Sequence, residues 1–150
     1  MITDDYWMQR ALELAKYAES IGEVPVGAII VTANHSIIGE GWNCPITQND
    51  PTAHAEIQAL RAAAKNLSNY RLIGTTLYST LEPCLMCAGA MLHARIQRLV
   101  FSTYDQRSGA VVSQFNMLQS TILNHRINWD AGILQNESSE LLKNFFKLRR

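Results

Sequence analysis

His54 and Glu56, two positions apart, and Cys84 and Cys87, three apart, are the residues of this chain whose types and spacing could do chemistry. Pro83 immediately precedes the cysteines, and a helix opening there places both thiols on one face of its first turn. Unpaired amide N–H groups at a helix N-terminus favour thiolate over thiol, and thiolate is the form that binds metal. With His54 as the third ligand the set becomes Cys, Cys, His, which holds zinc tetrahedrally and leaves one position for water. Catalytic zinc is arranged in this way, whereas structural zinc is closed by four protein ligands. Glu56 shares the cavity without having to be a ligand, and a carboxylate beside activated water is suited to carry protons. The chemistry implied is hydrolytic.

Each half of this constellation is weak alone, because His-x-Glu recurs by chance and Cys-x-x-Cys also marks redox dithiols and zinc ribbons. Together they form the His-x-Glu and Pro-Cys-x-x-Cys pattern of a zinc-dependent hydrolytic deaminase. A redox dithiol explains neither the upstream His and Glu nor the helix-rich segment Ala53 to Leu67. A structural zinc module, with Cys44 completing a Cys3His site, leaves Glu56 without a role.

The elements that must position these residues follow from periodicity. Asp4 to Ser20 reads as a helix, with Met8, Ala11, Leu12, Ala15 and Ala18 at spacings of three and four. Val24 to Val31 and Ile37 to Trp42 read as two strands joined by the turn Ala33-Asn34-His35-Ser36; His35, at its tip, stays outside the site. Asn43 to Thr52, with Pro45 and Pro51, reads as a loop. Thr52 is the expected N-cap of a helix reaching Leu67, which puts His54 and Glu56 in its first turn. Thr75 to Leu81 is a third strand and Cys84 to Ala94 the cysteine helix. Arg98 to Thr103, joined to the third strand through that helix, should pair with it in parallel. Tyr104 to Gly132 is irregular, with a short strand expected over 126–129. Ser138 opens a final helix, Ser139 to Arg150, with Leu141, Leu142, Phe145, Phe146 and Leu148 on its apolar side and Lys143, Lys147, Arg149 and Arg150 on its basic side. The expected architecture is α/β, a mixed five-stranded sheet in a three-layer helix/sheet/helix arrangement.

Composition bounds the partners. The 150 residues suit one domain, and 13 basic against 13 acidic side chains leave no net charge, so any surface for a polyanion must be a local patch. Three cysteines, two at metal spacing, and no N-terminal charged-then-apolar segment point to a reducing cytoplasm. No apolar run approaches the ~20 residues of a membrane span.

The chain resembles the bacterial tRNA-specific adenosine deaminases over nearly its whole length. The resemblance is carried by Glu23-Val24-Pro25-Val26-Gly27-Ala28, Gly39-Glu40-Gly41-Trp42-Asn43, Asp50-Pro51-Thr52-Ala53-His54-Ala55-Glu56-Ile57, Asn69-Tyr70-Arg71-Leu72, Thr80-Leu81-Glu82-Pro83-Cys84 with Met86-Cys87-Ala88-Gly89-Ala90-Met91, and Phe145-Phe146 with Arg149-Arg150. It implies a cytidine-deaminase-like fold over a single domain 1–150, one zinc per chain on His54, Cys84 and Cys87, and a homodimer. It further implies hydrolysis of adenosine to inosine at the tRNA wobble position by zinc-bound hydroxide, with Glu56 as proton shuttle. Asn43, Asp105, Arg107, Phe146 and Arg150 are the implied contacts to an anticodon stem-loop. Arg107 stands where the resemblance leads one to expect lysine, and Cys44 where arginine is commoner. A deaminase of free bases or nucleosides, such as guanine or cytosine, is the alternative with the same zinc chemistry.

Overall fold

A computed structural model of the chain describes residues 2–119 and 124–149. Their element order is α1 (Asp4–Ser20), β1 (Gly27–Val31), β2 (Ile37–Trp42), α2 (Pro45–Gln48), α3 (Ala55–Leu67), β3 (Thr76–Leu81), α4 (Leu85–Ala94), β4 (Arg98–Thr103), a 3-10 turn (Met117–Gln119), β5 (Asn128–Ala131) and α5 (Gln135–Lys147). The strands form one sheet in the order β2-β1-β3-β4-β5. β1 is antiparallel to both β2 and β3, whereas β3, β4 and β5 run parallel. The sheet is mixed and five-stranded, and β3–β4 is parallel because α4 carries the chain back across it.

Alternation along the strands assigns the two faces. Ala28, Ile30, Leu77, Leu99 and Phe101 point into the core shared with α3 and α4. Ile29, Val31, Tyr78 and Val100 point the other way, onto Trp7, Met8, Ala11 and Leu14 of α1. Central strands covered on both faces are apolar throughout, which is why Gly27–Val31 shows no polar position. Asp4 and Asp5 lie in the first turn of α1, where acidic charge complements the helix dipole. Asp4 also accepts two hydrogen bonds from the Arg98 guanidinium, at 2.9 and 2.8 Å, which tie α1 to β4.

The helix that carries His54 and Glu56 lies directly on β2. A Cβ at Gly39 would sit 2.4 Å from the Ala59 carbonyl oxygen, and one at Gly41 only 2.2 Å from that of Ala55. Glycine at these two positions lets the α3 backbone touch the sheet, and so sets how far the site stands from it.

Several boundaries differ from the sequence expectation for identifiable reasons. β1 starts at Gly27, not Val24: Pro25 has no N–H for a ladder, and the Val26 amide turns back to the Val24 carbonyl at 2.8 Å. The expected loop 43–52 contains the single-turn helix α2. Its N-terminal amides at Ile46 and Thr47 are accepted by the Glu23 carboxylate, which lies far from them in sequence. Thr52 does not cap α3, because its amide and hydroxyl both donate to Asp50; His54 occupies the cap position. β5 lies at Asn128–Ala131, two residues beyond the expected strand. The last helix starts at Gln135, after Leu134 in the left-handed conformation, and ends at Lys147, leaving Leu148 80% exposed.

Candidate metal centre and substrate cleft

Two helix N-termini converge on one point. His54 is the N-cap of α3 and Cys84 the N-cap of α4, both in extended conformation, and Cys87 is the third residue of α4. His54 Nδ1 lies 3.6 Å from Cys84 Sγ and 3.5 Å from Cys87 Sγ. Tetrahedral zinc with Zn–S of about 2.3 Å and Zn–N of about 2.0–2.1 Å separates nitrogen from sulfur by about 3.6 Å. Both nitrogen–sulfur separations therefore fit zinc as they stand. All three donor atoms lie within 4.8 Å of one another, and Cys44 is outside that group. Cys44 is buried at the start of α2, so a closed Cys3His site is not formed here.

Placing His54 and Cys84 at the cap positions has a local consequence. Neither His54 nor Cys84 makes a side-chain cap bond. The exposed amide at the start of α3 is instead satisfied from another element, as Ala55 N–H donates to Asn43 Oδ1 at 2.9 Å. Asn43 is one of the expected contacts to the anticodon, and an amide side chain offers both an acceptor and a donor. Its acceptor is engaged in this bond, and its side-chain NH2 is the half left for a ligand.

Glu56 is 4% exposed. Burial pushes its carboxyl up to about 7, and the charge on Cys84 adds to the shift. A carboxyl titrating near neutrality takes and gives a proton with comparable ease. Among the protein atoms alone the two thiols share a proton: the hydrogen bond from Cys87 draws Cys84 down to about 4, and Cys87 moves up in turn. The hydrogen bond to Cys84 raises His54, with burial opposing. This donor set is anionic and compact, and a divalent cation complements it.

A cleft of about 1030 Å³ is walled by Leu81 at the end of β3, by the turn following β4, and by α5; none of His54, Glu56, Cys84 and Cys87 lines it, and Leu81 stands three residues before Cys84 in the chain. Asp105, Arg107 and Phe146, three of the expected RNA contacts, line it together with Tyr104, Lys143 and Lys147. Asp105 uses its carboxylate locally, accepting the Arg107 and Ser108 amides at 3.1 Å, and so shapes the turn. Phe146 is 46% exposed and meets the buried Phe145 edge-on, with ring centroids 5.3 Å apart. Phe145 is thus the core aromatic of α5 and Phe146 the one free for a ligand. Arg150 lies outside the described residues. Glu82, part of the motif that carries the family resemblance, was given no role from the sequence. It is buried and accepts hydrogen bonds from the 105–113 loop. The available signal was an acidic residue in the apolar junction between β3 and Cys84. Lys143 and Lys147 were read as basic, though not as cleft residues.

A family profile described as cytidine and deoxycytidylate deaminase zinc-binding region matches residues 1–103. A protein of Haemophilus influenzae called tRNA-specific adenosine deaminase is 54% identical over 147 residues, covering 98% of this chain and 85% of that protein. Among solved structures, one from work on A-to-I editing by tRNA:A34 deaminases at the wobble position superposes with a TM-score of 0.88 at 39% identity, over 91% of this chain and 99% of the other. A guanine deaminase from Nitrosomonas europaea superposes at 0.85 with 22% identity, over 97% of this chain and 85% of the other, a likeness of fold. From the zinc-spaced donors, the matched profile and the full-length identity together, the chain belongs to the tRNA-specific adenosine deaminases of the cytidine and deoxycytidylate deaminase zinc-binding family.

Proposed function

We infer that this chain converts adenosine to inosine and ammonia at the wobble position of a tRNA anticodon, as a single deaminase domain over residues 1–150. The observation that carries the chemistry is the convergence of His54 Nδ1 with two thiols at 3.5 and 3.6 Å, beside buried Glu56. The substrate reading rests on the full-length similarity to proteins named for that activity.

His54, Cys84 and Cys87 would hold zinc, which when bound is a Lewis acid that brings the pKa of a water from ~15.7 to near 7. Glu56 would carry the protons of the hydrolysis: it takes one from the attacking water, places it on ring N1 of adenine, and passes a further proton to the amine that leaves C6. Its burial keeps bulk water from intercepting these transfers. The side-chain NH2 of Asn43, whose oxygen is engaged by Ala55, is the group that would donate to an acceptor on the base. An anticodon base is already unpaired, so extruding it costs less than extruding a duplex base. Tyr104 and Phe146 offer faces for bases, and Arg107, Lys143 and Lys147 offer charge for phosphates along the same cleft.

A homodimer and a cytoplasmic location belong to the same reading. Exposed Tyr70 and Ile73 support the first, and three unpaired cysteines the second. No helix among the described residues is long and apolar enough to cross a membrane.

The test is nucleoside mass analysis after incubating zinc-loaded protein with an anticodon stem-loop bearing adenosine at the wobble position, and in parallel with free adenosine, guanine and cytosine. Inosine in the stem-loop alone is the expected result. Efficient turnover of a free base or nucleoside, with the stem-loop untouched, would replace the substrate while leaving the zinc chemistry standing.

A further inference from the structure

Glu82 is a buried carboxylate, 1% exposed, with no Lys or Arg within ion-pair distance among the described residues. Its Oε2 accepts three successive backbone amides, Val111 at 3.1 Å, Val112 at 2.9 Å and Ser113 at 3.0 Å. Its Oε1 accepts the Asp105 amide at 3.1 Å and the Ser113 hydroxyl. The loop 105–113 therefore begins and ends on one side chain. Gly109 closes over it so tightly that an added Cβ would lie 2.3–2.5 Å from the carboxylate atoms. A second tie runs beside the first, from Ala110 N–H to the Pro83 carbonyl at 2.9 Å. The loop's opening turn, 105–108, is the part that walls the cleft.

Glu82 also stands two residues before Cys84. One side chain thus connects a metal ligand's own strand-to-helix junction to the wall of the substrate cleft. A carboxylate held by backbone amides contributes its full hydrogen-bonding strength to backbone placement, and that placement is what a metal centre needs fixed relative to a bound substrate. We propose that Glu82 is a positioning residue for the RNA substrate: it holds the cleft-lining turn 105–108 in register with the metal centre, without touching either metal or reacting base. The proposal rests on the wobble-adenosine reading above.

Glu82→Gln separates this role from general loss of fold. An amide keeps one acceptor oxygen, and the three-amide position of Oε2 is where that oxygen is most needed. The NH2 then faces the Asp105 N–H, donor against donor, while the Ser113 hydroxyl can rotate to accept. Val111–Ser113 stay anchored and the 105–108 turn is released. Gly109→Ala displaces the same carboxylate from the opposite side with Glu82 unaltered. Ser113→Ala removes one bond of the five and is the mild variant.

The experiment measures zinc per chain, amide hydrogen exchange over 105–113, and kcat and KM on the wobble-adenosine stem-loop for the wild type, the three single variants and the Glu82→Gln/Gly109→Ala double. We expect unchanged zinc and faster exchange in the loop. KM should rise about tenfold in Glu82→Gln, the effect of one orphaned part-buried amide, at least as much in Gly109→Ala, which displaces the whole carboxylate, and less in Ser113→Ala. kcat should move far less than KM, and the double variant should be no worse than the more severe single, because both act through one contact. An unchanged KM, a fall confined to kcat, loss of zinc, or single-variant effects that multiply in the double would overturn the proposal. A wild type inert on the stem-loop would refute the function reading itself, and would be seen before any variant was measured.

Discussion

Gly41 lies on β2, outside the metal-ligand group, yet it should be one of the most sensitive positions for metal binding. An alanine there would bring its Cβ to 2.2 Å from the Ala55 carbonyl oxygen and 2.6 Å from the Ala59 nitrogen. A carbon and a carbonyl oxygen pack no closer than about 3.3 Å, so the first turn of α3 must retreat by about 1 Å. Ala55 is flanked by His54, one of the proposed ligands, and by Glu56, and both would move with it. Zinc sites tolerate about 0.2 Å in ligand distance, and a 1 Å misplacement of a catalytic group costs about 10² in rate. Overpacking of this kind also costs about 1–3 kcal/mol of stability. We therefore expect Gly41→Ala to fold, to yield zinc to a chromophoric chelator at least about tenfold more readily than wild type, and to lose about 10² in kcat/KM on the stem-loop. Gly89→Ala is the control, since its Cβ would have no atom within 4 Å and an alanine within α4 should gain about 1 kcal/mol. A Gly41→Ala protein with wild-type zinc retention and wild-type rate would refute the claim that close packing of α3 on β2 sets the site.

Three further outcomes are expected. Glu56→Gln should keep zinc and fold yet lose at least about 10²–10⁴ in kcat, measured at saturating stem-loop; a near-wild-type rate would remove Glu56 from proton transfer. Cys44→Ser should keep one zinc per chain by metal analysis, whereas Cys84→Ser should lose it, and equal losses would restore the closed four-ligand site. Acid should unfold the protein through depressed carboxyls. At Asp4 the Arg98 hydrogen bond lowers the carboxyl against the effect of burial; at Glu23 burial raises it, but the Thr47 and Ile46 bonds outweigh that and hold it low. Their stabilisation is complete above the unfolded values, about 3.9 and 4.3, and is lost as pH falls through the lower folded values. Melting temperature should thus hold near pH 6 and drop below pH 4, with a shallower drop in Glu23→Gln, and an identical acid profile for that variant would count against the assignment.

Where the sequence was legible, the physics was local or periodic. The 3.6-residue stripe of α1 returned Asp4–Ser20, and the helical crossover predicted the parallel pairing of β3 with β4. The convergence of His54, Cys84 and Cys87 was readable because their spacing in the chain matches what a shared metal would need. What could not be read was long-range capping. Nothing local shows that Glu23 satisfies the amides of α2, that Asn43 does the same for α3, or that Glu82 ties down a loop some thirty positions ahead. The Thr52 cap failed for a related reason: its hydroxyl had a closer partner in Asp50. The split between Phe145 and Phe146 follows from where α5 meets the sheet, which its own pattern leaves open.

Glu23 and Glu82 share a property with a practical consequence. Both are buried anions held by neutral amides and hydroxyls, with no cation in contact among the described residues. Mobile ions weaken attraction between exposed charges and barely reach buried hydrogen bonds. Added potassium chloride should therefore loosen the proposed phosphate contacts along the cleft while leaving the Glu82-held turn 105–108 of its wall as rigid as before. Ionic strength then becomes a clean handle on this protein: the slope of log affinity against log salt counts the phosphates released, uncontaminated by softening of the surface that gripped them.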